Sequence, residues 1–255
     1  MSLHIETMGC GAPLVLLHGW GMHGGVWGDV AQRLAQQHEV HCVDLPGFGA
    51  SAALPKTNLD LLVQSLAEHF HDPVNVCGWS LGGQVALHWA VCEPAKVDKL
   101  IVVTSTPCFT ERDDWRFGLP SEVLAKFASE LEHNHAATLR RFISLQLRGS
   151  ENERELLTEL REQIFSRGEP DMDALRGGLE ILRDADQRSE VAGIKQRTLV
   201  IAGQRDKLTP PEASHYLAQV IPNARLVEIE GAAHTPFLSH SDMFVAHVME
   251  FLKND

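Results

Sequence analysis

The sequence lacks long apolar runs and an excess of basic residues, and each absence excludes a class of protein. No apolar run approaches the ~20 residues that a membrane-spanning helix needs, and the first residues show no basic stretch followed by an apolar one, so we expect neither a membrane span nor a signal peptide. Its 34 Asp and Glu outnumber its 22 Lys and Arg, and the formal net charge of −12 argues against a nucleic-acid partner. We therefore expect a cytoplasmic protein that binds neither membrane nor nucleic acid.

Cysteines are few, and the common cofactor motifs are missing. The five cysteines form an odd number with no CxxC pair, which favours reduced, buried, inert thiols over a disulfide framework or a zinc site. No GK[ST] phosphate loop and no HExxH helix occurs. We therefore expect no nucleotide, no metal and no other cofactor. The cysteines are Cys10, Cys42, Cys77, Cys92 and Cys108.

What the chain does have is a regular alternation of apolar runs and helical patterns. With 255 residues, 44% apolar and 22% charged, it has the composition of an ordinary globular domain. Continuous apolar runs predict strands buried on both faces at residues 14–17, 40–45, 74–77, 100–103, 198–203 and 224–229. Apolar residues at helical spacing predict helices at 26–37, 59–69, 81–91, 211–220 and 243–252. The alternation predicts an α/β fold with a mostly parallel central sheet flanked by helices.

The alternation stops at Pro107, and from residue 107 to residue 188 the pattern predicts helices only. Apolar spacing is clearest over residues 123–131, 139–147 and 156–164. Since the flanking parts complete one sheet, we expect a core of residues 1–106 and 189–255 and a helical lid of residues 107–188. Open α/β sheets bind ligands at the carboxyl edge of their strands, so the lid should lie there.

A candidate nucleophile follows the third predicted strand. Residues 78–82 read GWSLG, a GxSxG pattern between a strand and a helix, which is the context of the nucleophile elbow. Glycines at both ends let strand and helix approach closely and leave the hydroxyl of Ser80 exposed at the helix start. The alternative is a glycine-rich turn whose serine caps a helix.

A serine hydroxyl needs a base, and the base needs an orienting carboxylate. Asp206 follows the strand 198–203 and His234 follows the strand 224–229, in the chain order that α/β-hydrolases use. Taken singly, Asp206 could be a turn residue that caps a helix, and His234 could be a surface histidine. A serine at the elbow also excludes the dehalogenase and epoxide hydrolase variants, which need a carboxylate there.

Acyl transfer needs donors for the oxyanion. We expect one from the backbone N–H of Leu81, directly after the candidate nucleophile, and one from that of Trp20 in the HGWG loop. His18 fits a buried imidazole in a tight turn better than direct chemistry. The indoles of Trp20 and Trp79 could face an acyl chain or pack in the core.

The chain resembles, nearly end to end, the pimeloyl-[acyl-carrier protein] methyl ester esterases of biotin synthesis. HGWGM (18–22), DLPGFG (44–49) and GWSLGG (78–83) are common to many α/β-hydrolases, whereas TPCFTERDDW (106–115), FISLQ (142–146) and GGLEIL (177–182) lie in or beside the lid. The resemblance implies an α/β-hydrolase fold, a catalytic triad of Ser80, Asp206 and His234, and substrate-facing oxyanion positions at Trp20 and Leu81. It also implies an acyl-pocket wall of Phe142, Ile143, Ser144, Leu145 and Gln146.

The resemblance implies an acyl carrier protein as partner, which carries the acyl substrate. A carrier protein is acidic, so an acidic enzyme should meet it through a locally basic face. Arg140, Arg141 and Arg148 lie in a stretch without acids, 133–150, and are our docking candidates. However, residues 107–188 hold 12 basic and 17 acidic residues, so solvated ion pairs are an equal alternative for their arginines.

The sequence therefore predicts a monomeric serine carboxylesterase that also accepts small-molecule esters. Two alternatives stay open. A broad short-chain carboxylesterase or a carbon–carbon bond hydrolase would use the same residues, and a non-catalytic ligand receptor would keep the fold without the chemistry.

Overall fold

A seven-stranded sheet runs through the computed structural model, which describes residues 3–150, 153–163 and 166–253. The strand order is β1-β3-β2-β4-β5-β6-β7, and every neighbouring pair is parallel except β1 with β3. The mostly parallel sheet predicted above is thus confirmed. The strands are β1 Ile5–Gly9, β2 Ala12–Leu17, β3 His38–Val43, β4 Val74–Trp79, β5 Val97–Val103, β6 Arg197–Gly203 and β7 Ala224–Ile229.

Ten α-helices lie in the described ranges and cover the sheet. Five of them match predicted helices outside the lid, and α2 has the predicted bounds because Asn58 caps it by accepting from the N–H of Leu61. The helices are α1 Gly28–Leu34, α2 Leu59–His69, α3 Leu81–Cys92, α4 Ser121–His133, α5 His135–Leu147, α6 Glu153–Gln163, α7 Met172–Asp184, α8 Pro211–Val220, α9 Pro236–Ser239 and α10 Ser241–Lys253. No helix among the described residues is long and apolar enough to cross a membrane.

Several predicted bounds were wrong, for local reasons. The helix predicted at 26–37 begins as a 3-10 turn, Gly24–Trp27, and becomes α1 only at Gly28, which has a positive φ of 35°. The strand predicted to end at residue 45 ends at Val43, and the side chain of the next residue, Asp44, binds the N–H groups of Gly24 and Ala50 in the neighbouring loops. β1 was missed because its exposed residues form no apolar run.

The expectation of helix alone from Pro107 onward was also wrong. Residues 107–120 form an irregular segment with three isolated β-bridges, among them Thr110 with Leu119, and α4 begins only at Ser121. The indole of Trp115 donates to the carbonyl oxygen of Cys108, which holds this segment together. The last residue of the helix predicted at 156–164 lies outside the described residues.

The cysteines are only partly as expected. Cys42, Cys77 and Cys108 are buried, but Cys10 and Cys92 are exposed. Cys10 lies in the turn between β1 and β2, and Cys92 is the last residue of α3. Both positions are at the ends of elements, where a side chain can remain at the surface. Burial raises the pKa of the Cys77 thiol and, to about 12, that of Cys42, which keeps these two thiols protonated and unreactive.

The chain between β5 and β6, here called the insertion, contains α4 to α7 and reaches back onto the core at several points. The indole N–H of Trp20 donates to the carbonyl oxygen of Leu175 in α7. The backbone N–H of His234 donates to the carbonyl oxygen of Gln146 in α5. A Cβ at Gly178 would lie 2.6 Å from Cδ1 of Trp20, so α7 can approach the HGWG loop only because a glycine stands there. The insertion therefore covers the carboxyl edge of the sheet near Trp20 and His234.

Arg167 joins the insertion to the core through a buried carboxylate. Its Nη1 lies 2.8 Å from Oδ1 of Asp44, a side chain with no exposed surface, and its Nη2 bonds Glu6 of β1. Asp44 also accepts from the N–H groups of Gly24 and Ala50. Although burial alone would raise it, the pKa of Asp44 lies below its usual value, because these backbone donors, His18 and Arg167 favour the carboxylate.

We expect Arg167→Met to lower the free energy of unfolding by about 2 kcal/mol, because it leaves the buried charge of Asp44 with its backbone donors alone. The matched control is Arg183→Met. Arg183 pairs with Asp184 on the surface, where both side chains are more than half exposed. That change should cost less than about 1 kcal/mol. Urea unfolding monitored by fluorescence measures both values, and equal losses would contradict a special role for Arg167.

Candidate active site

Ser80 lies at a sharp turn between β4 and α3. Its φ of 56° and ψ of −119° are strained for a residue with a side chain. Two hydrogen bonds hold this backbone in place. The N–H of Ser80 donates to the carbonyl oxygen of Val103, and the hydroxyl of Ser105 donates to the carbonyl oxygen of Ser80, with 2.7 Å between the two oxygens. The side chain makes no cap of α3, so the alternative of a helix-capping serine does not fit.

Glycines make this turn sterically possible. A Cβ at Gly78 would collide with the backbone of Gly82, and one at Gly82 would collide with the carbonyl oxygens of Leu17 and His18. A Cβ at Gly19 would lie 3.2 Å from Cβ of Ser80. Strand, helix and HGWG loop therefore meet closely around Ser80.

His234 and Asp206 form a buried pair. Nδ1 of His234 lies 2.8 Å from Oδ2 of Asp206, and both side chains are 1% exposed. Oδ1 of Asp206 accepts from the N–H groups of Leu208 and Thr209, so Asp206 is a turn residue, but it does not cap the following helix, because α8 has no side-chain cap. Nε2 of His234 is buried and has no hydrogen-bond partner within the described part of the chain. The ring of His234 contacts that of Trp79, the residue before Ser80, with centroids 5.7 Å apart.

Two threonines that sequence reasoning missed hold this pair. The hydroxyl of Thr104 and the indole N–H of Trp79 both donate to the carbonyl oxygen of His234, and each donor atom lies 2.8 Å from that oxygen. The hydroxyl of Thr209 lies 2.7 Å from Oδ2 of Asp206. Thr104 has a φ of 38°, an outlier for a β-branched residue. Its place directly after a buried strand was the one signal in the sequence that could have singled it out.

The HGWG loop is positioned by His18. Nδ1 of His18 lies 2.8 Å from the carbonyl oxygen of Gly19 and must carry the proton, so Nε2 accepts from the N–H of Leu45 at 2.9 Å. Burial lowers the pKa of His18 to about 4, against the opposing effects of Gly19 and Asp44. His18 is therefore a neutral structural residue, as expected from the sequence.

The expected oxyanion positions lie beside Ser80. Leu81 is the first residue of α3, so its N–H has no acceptor within the helix. The side chain of Trp20 packs edge-on against Phe127 and Phe142, with centroids 5.4 and 5.1 Å away. Trp79 is fully buried against Phe237 and His234, so its indole belongs to the core.

The expected pocket wall is only partly brought together. Phe142 and Gln146 approach Trp20 and His234 as described, and Ile143 is fully buried. Ser144 instead donates to the carbonyl oxygen of Arg140 at 3.2 Å, and Leu145 is 42% exposed. Successive residues of a helix point in different directions, so five in a row cannot line one wall.

Of the docking candidates, Arg141 is not a free charge. It forms an ion pair with Glu130 of α4, a partner that lies outside the acid-free stretch of sequence. Arg140 and Arg148 are exposed, and Arg148 lines a groove of about 1010 Å³ together with Leu145, Arg205 and Lys207. The side of this groove formed by the β6–α8 loop includes Asp206.

The sequence profile of the α/β hydrolase fold family matches residues 12–241, and the chain belongs to that family. Among solved structures, an esterase from Exiguobacterium antarcticum superimposes with a TM-score of 0.91 over 99% of this chain and 96% of that one, at 24% identity. At that identity the likeness shows the fold alone.

Several curated relatives are closer in sequence and share one name. The chain is 44% identical over 246 residues to the pimeloyl-[acyl-carrier protein] methyl ester esterase of Nitrosomonas europaea, covering 96% of this chain and 97% of that one. It is 42% identical over 253 residues to the protein of the same name from Chromobacterium violaceum, covering 99% of each. The resemblance predicted from the lid and elbow motifs is confirmed.

We expect Thr104→Val to slow the reaction of Ser80 with a fluorophosphonate about tenfold, because His234 loses one of the two side-chain donors that fix its carbonyl. Valine keeps the branched shape, so packing is retained. Thr104→Ser keeps the hydroxyl and should react at nearly the wild-type rate. Time courses of the labelling reaction, quenched at set intervals, measure the rates. Equal slowing in both variants would assign Thr104 a packing role only.

Proposed function

We propose that this protein is a serine carboxylesterase that hydrolyses the methyl ester of pimeloyl-[acyl-carrier protein] in biotin biosynthesis. The observation that carries the proposal is the full-length similarity, at up to 44% identity, to relatives of that name. The buried Asp206–His234 pair and the strained turn that carries Ser80 support it, because a serine nucleophile needs a histidine base that a carboxylate orients.

In the proposed acylation, Oγ of Ser80 attacks the ester carbonyl carbon while Nε2 of His234 takes the hydroxyl proton. The N–H groups of Leu81 and Trp20 stabilise the oxyanion that forms. When the tetrahedral intermediate collapses, the carbon–methoxy oxygen bond breaks, and His234 returns the proton to that oxygen, so that methanol leaves. Asp206 accepts from Nδ1 throughout, so the lone pair of the neutral imidazole is on Nε2, which holds the proton between its uptake and its return.

Deacylation repeats these steps with water. His234 takes a proton from water as the hydroxide oxygen bonds to the acyl carbon, and it then protonates Oγ of Ser80 as the acyl–serine bond breaks. The products are a free carboxylate on the acyl chain and regenerated enzyme. The aromatic cluster of Trp20, Phe127 and Phe142 supplies apolar surface for the methylene chain.

Replacing the nucleophile tests the proposal. We expect Ser80→Ala to abolish fluorophosphonate labelling and to lower methyl-ester hydrolysis at least about 10⁴-fold, because no other group can form the acyl-enzyme. Ser65→Ala is a suitable control. Ser65 lies on α2, and its hydroxyl bonds the carbonyl oxygen of Leu61. This variant should label and turn over normally.

Two outcomes would contradict the assignment. Equal labelling of wild type and Ser80→Ala would remove Ser80 as the nucleophile, and unlabelled wild type would favour a non-catalytic receptor. Cleavage of a vinylogous diketone by an enzyme that leaves methyl esters untouched would favour a carbon–carbon bond hydrolase.

The carrier protein would dock on the exposed face of α5. We propose Arg140, Arg141 and Arg148 for this contact because an acidic carrier must find local positive charge on a chain of net charge −12. Arg148 is the strongest of the three, since it borders the groove that reaches Asp206. Arg141 contributes less because its charge is already balanced by Glu130.

We expect reversal of Arg140, Arg141 and Arg148 to Glu to lower kcat/KM for the carrier-bound ester about tenfold and to leave kcat/KM for a small methyl ester unchanged. Arg225→Glu is the control, because Arg225 lies on the remote edge strand β7 and pairs with Glu250. Parallel assays on both substrates at low and high salt measure the effect. Equal effects on both esters, or none on either, would reject this docking face.

A further inference from the structure

A second cluster of reactive side chains lies at the far end of α3 from Ser80. Asp60 projects from α2 and His88 and Cys92 from α3, and their ligand atoms all lie within 4.8 Å of one another. Cys92 lies eleven positions after Leu81, so it is about 16 Å along the helix from the elbow. The cluster takes no part in the mechanism above.

The side chains converge because of helical spacing. His88 and Cys92 are four residues apart and so share one face of α3. That face meets the first turn of α2, which begins at Leu59 after its Asn58 cap, and this places Asp60 opposite His88. A surface cavity of about 340 Å³ opens over the three residues, with Gln64, Glu68 and Glu93 at its rim.

The distance between His88 and Cys92 matches that between two ligands on a tetrahedral metal. Zn–N bonds of 2.0–2.1 Å and a Zn–S bond of 2.3 Å place the two ligand atoms about 3.6 Å apart. Nε2 of His88 lies 3.5 Å from Sγ of Cys92. Oδ1 of Asp60 lies 2.7 Å from the same nitrogen and would move out by about 0.7 Å, which its 82% exposed side chain allows.

The arrangement does not suit a second nucleophilic triad. In a triad, base and carboxylate bond through one ring nitrogen and the nucleophile uses the other. Here the carboxylate and the sulfur both lie closest to Nε2, with Nδ1 3.8 Å from the sulfur.

The charge around the cluster also favours a cation. Glu68 and Glu93 border the cavity. Lys96, the one lysine or arginine among the described residues that line it, donates to the carbonyl oxygens of Phe70 and His71, at 3.2 and 2.7 Å. We propose that Asp60, His88 and Cys92 form a binding site for a divalent transition metal of the zinc type, which clamps α2 to α3. Water completes a four-coordinate sphere.

Cobalt absorption tests this site in the untagged full-length protein after chelator treatment. We expect Co²⁺ to produce the near-ultraviolet thiolate charge-transfer band and the visible bands of a four-coordinate ion, and Zn²⁺ to displace it. Zn²⁺ should also raise the Tm, since the three ligands are held together in the folded chain.

Variants identify the ligands. Cys92→Ala should lose the charge-transfer band and the Zn²⁺-dependent rise in Tm, and Asp60→Asn should weaken binding at least about tenfold. Cys10→Ala removes the other exposed thiol, which lies between β1 and β2, and should retain both signals. Ester hydrolysis by the metal-free variants confirms folding. An unchanged band in Cys92→Ala, or no thiolate band in wild type at a large excess of Co²⁺, would overturn the proposal.

Discussion

The hydrogen bond between Nδ1 of His234 and Oδ2 of Asp206 is the interaction on which the proposed chemistry depends. The carboxylate can only accept, so in the neutral imidazole the proton must sit on Nδ1 and the lone pair on Nε2. Two backbone N–H groups and the hydroxyl of Thr209 also approach Asp206, so its charge is stabilised although its side chain is 1% exposed. This buried, fully bonded carboxylate fixes which histidine nitrogen faces the reaction.

Holding that pair requires strain elsewhere in the chain. Ser80 and Thr104, which follow the adjacent strands β4 and β5, are the two non-glycine residues with positive φ in the described ranges. Such conformations cost about 1–3 kcal/mol each and persist only where neighbours hold them. Ser80 is held by Val103 and Ser105, and the N–H of Thr104 donates to the carbonyl oxygen of Ile201. The parallel sheet thus supplies rigid strand ends that keep both residues in strained positions.

Features encoded locally were predictable from the sequence. Buried strands read as apolar runs, and helix α2 could be placed to the residue because its cap lies within four positions of its start. The candidate triad was also accessible, because each member lies in the loop that follows a strand, and parallel strands end at one edge of the sheet. The roles assigned to Ser80, Asp206 and His234 stay predictions, whereas their placement at that edge follows from strand order.

Features that join distant parts of the chain were not predictable. The stretch 133–150 contains no acid, yet α4 folds beside it and pairs Glu130 with Arg141, so a local count of charge misjudged the surface. Nothing in the sequence around Asp44 indicated that its negative charge would pair with Arg167, 123 residues later. The same limit applies to metal ligands. Motif patterns detect ligands a few residues apart, whereas Asp60 and His88 lie 28 residues apart and meet because α2 packs on α3. Long-range pairing of this kind depends on the packing of whole helices, and a single sequence carries no local signal for it.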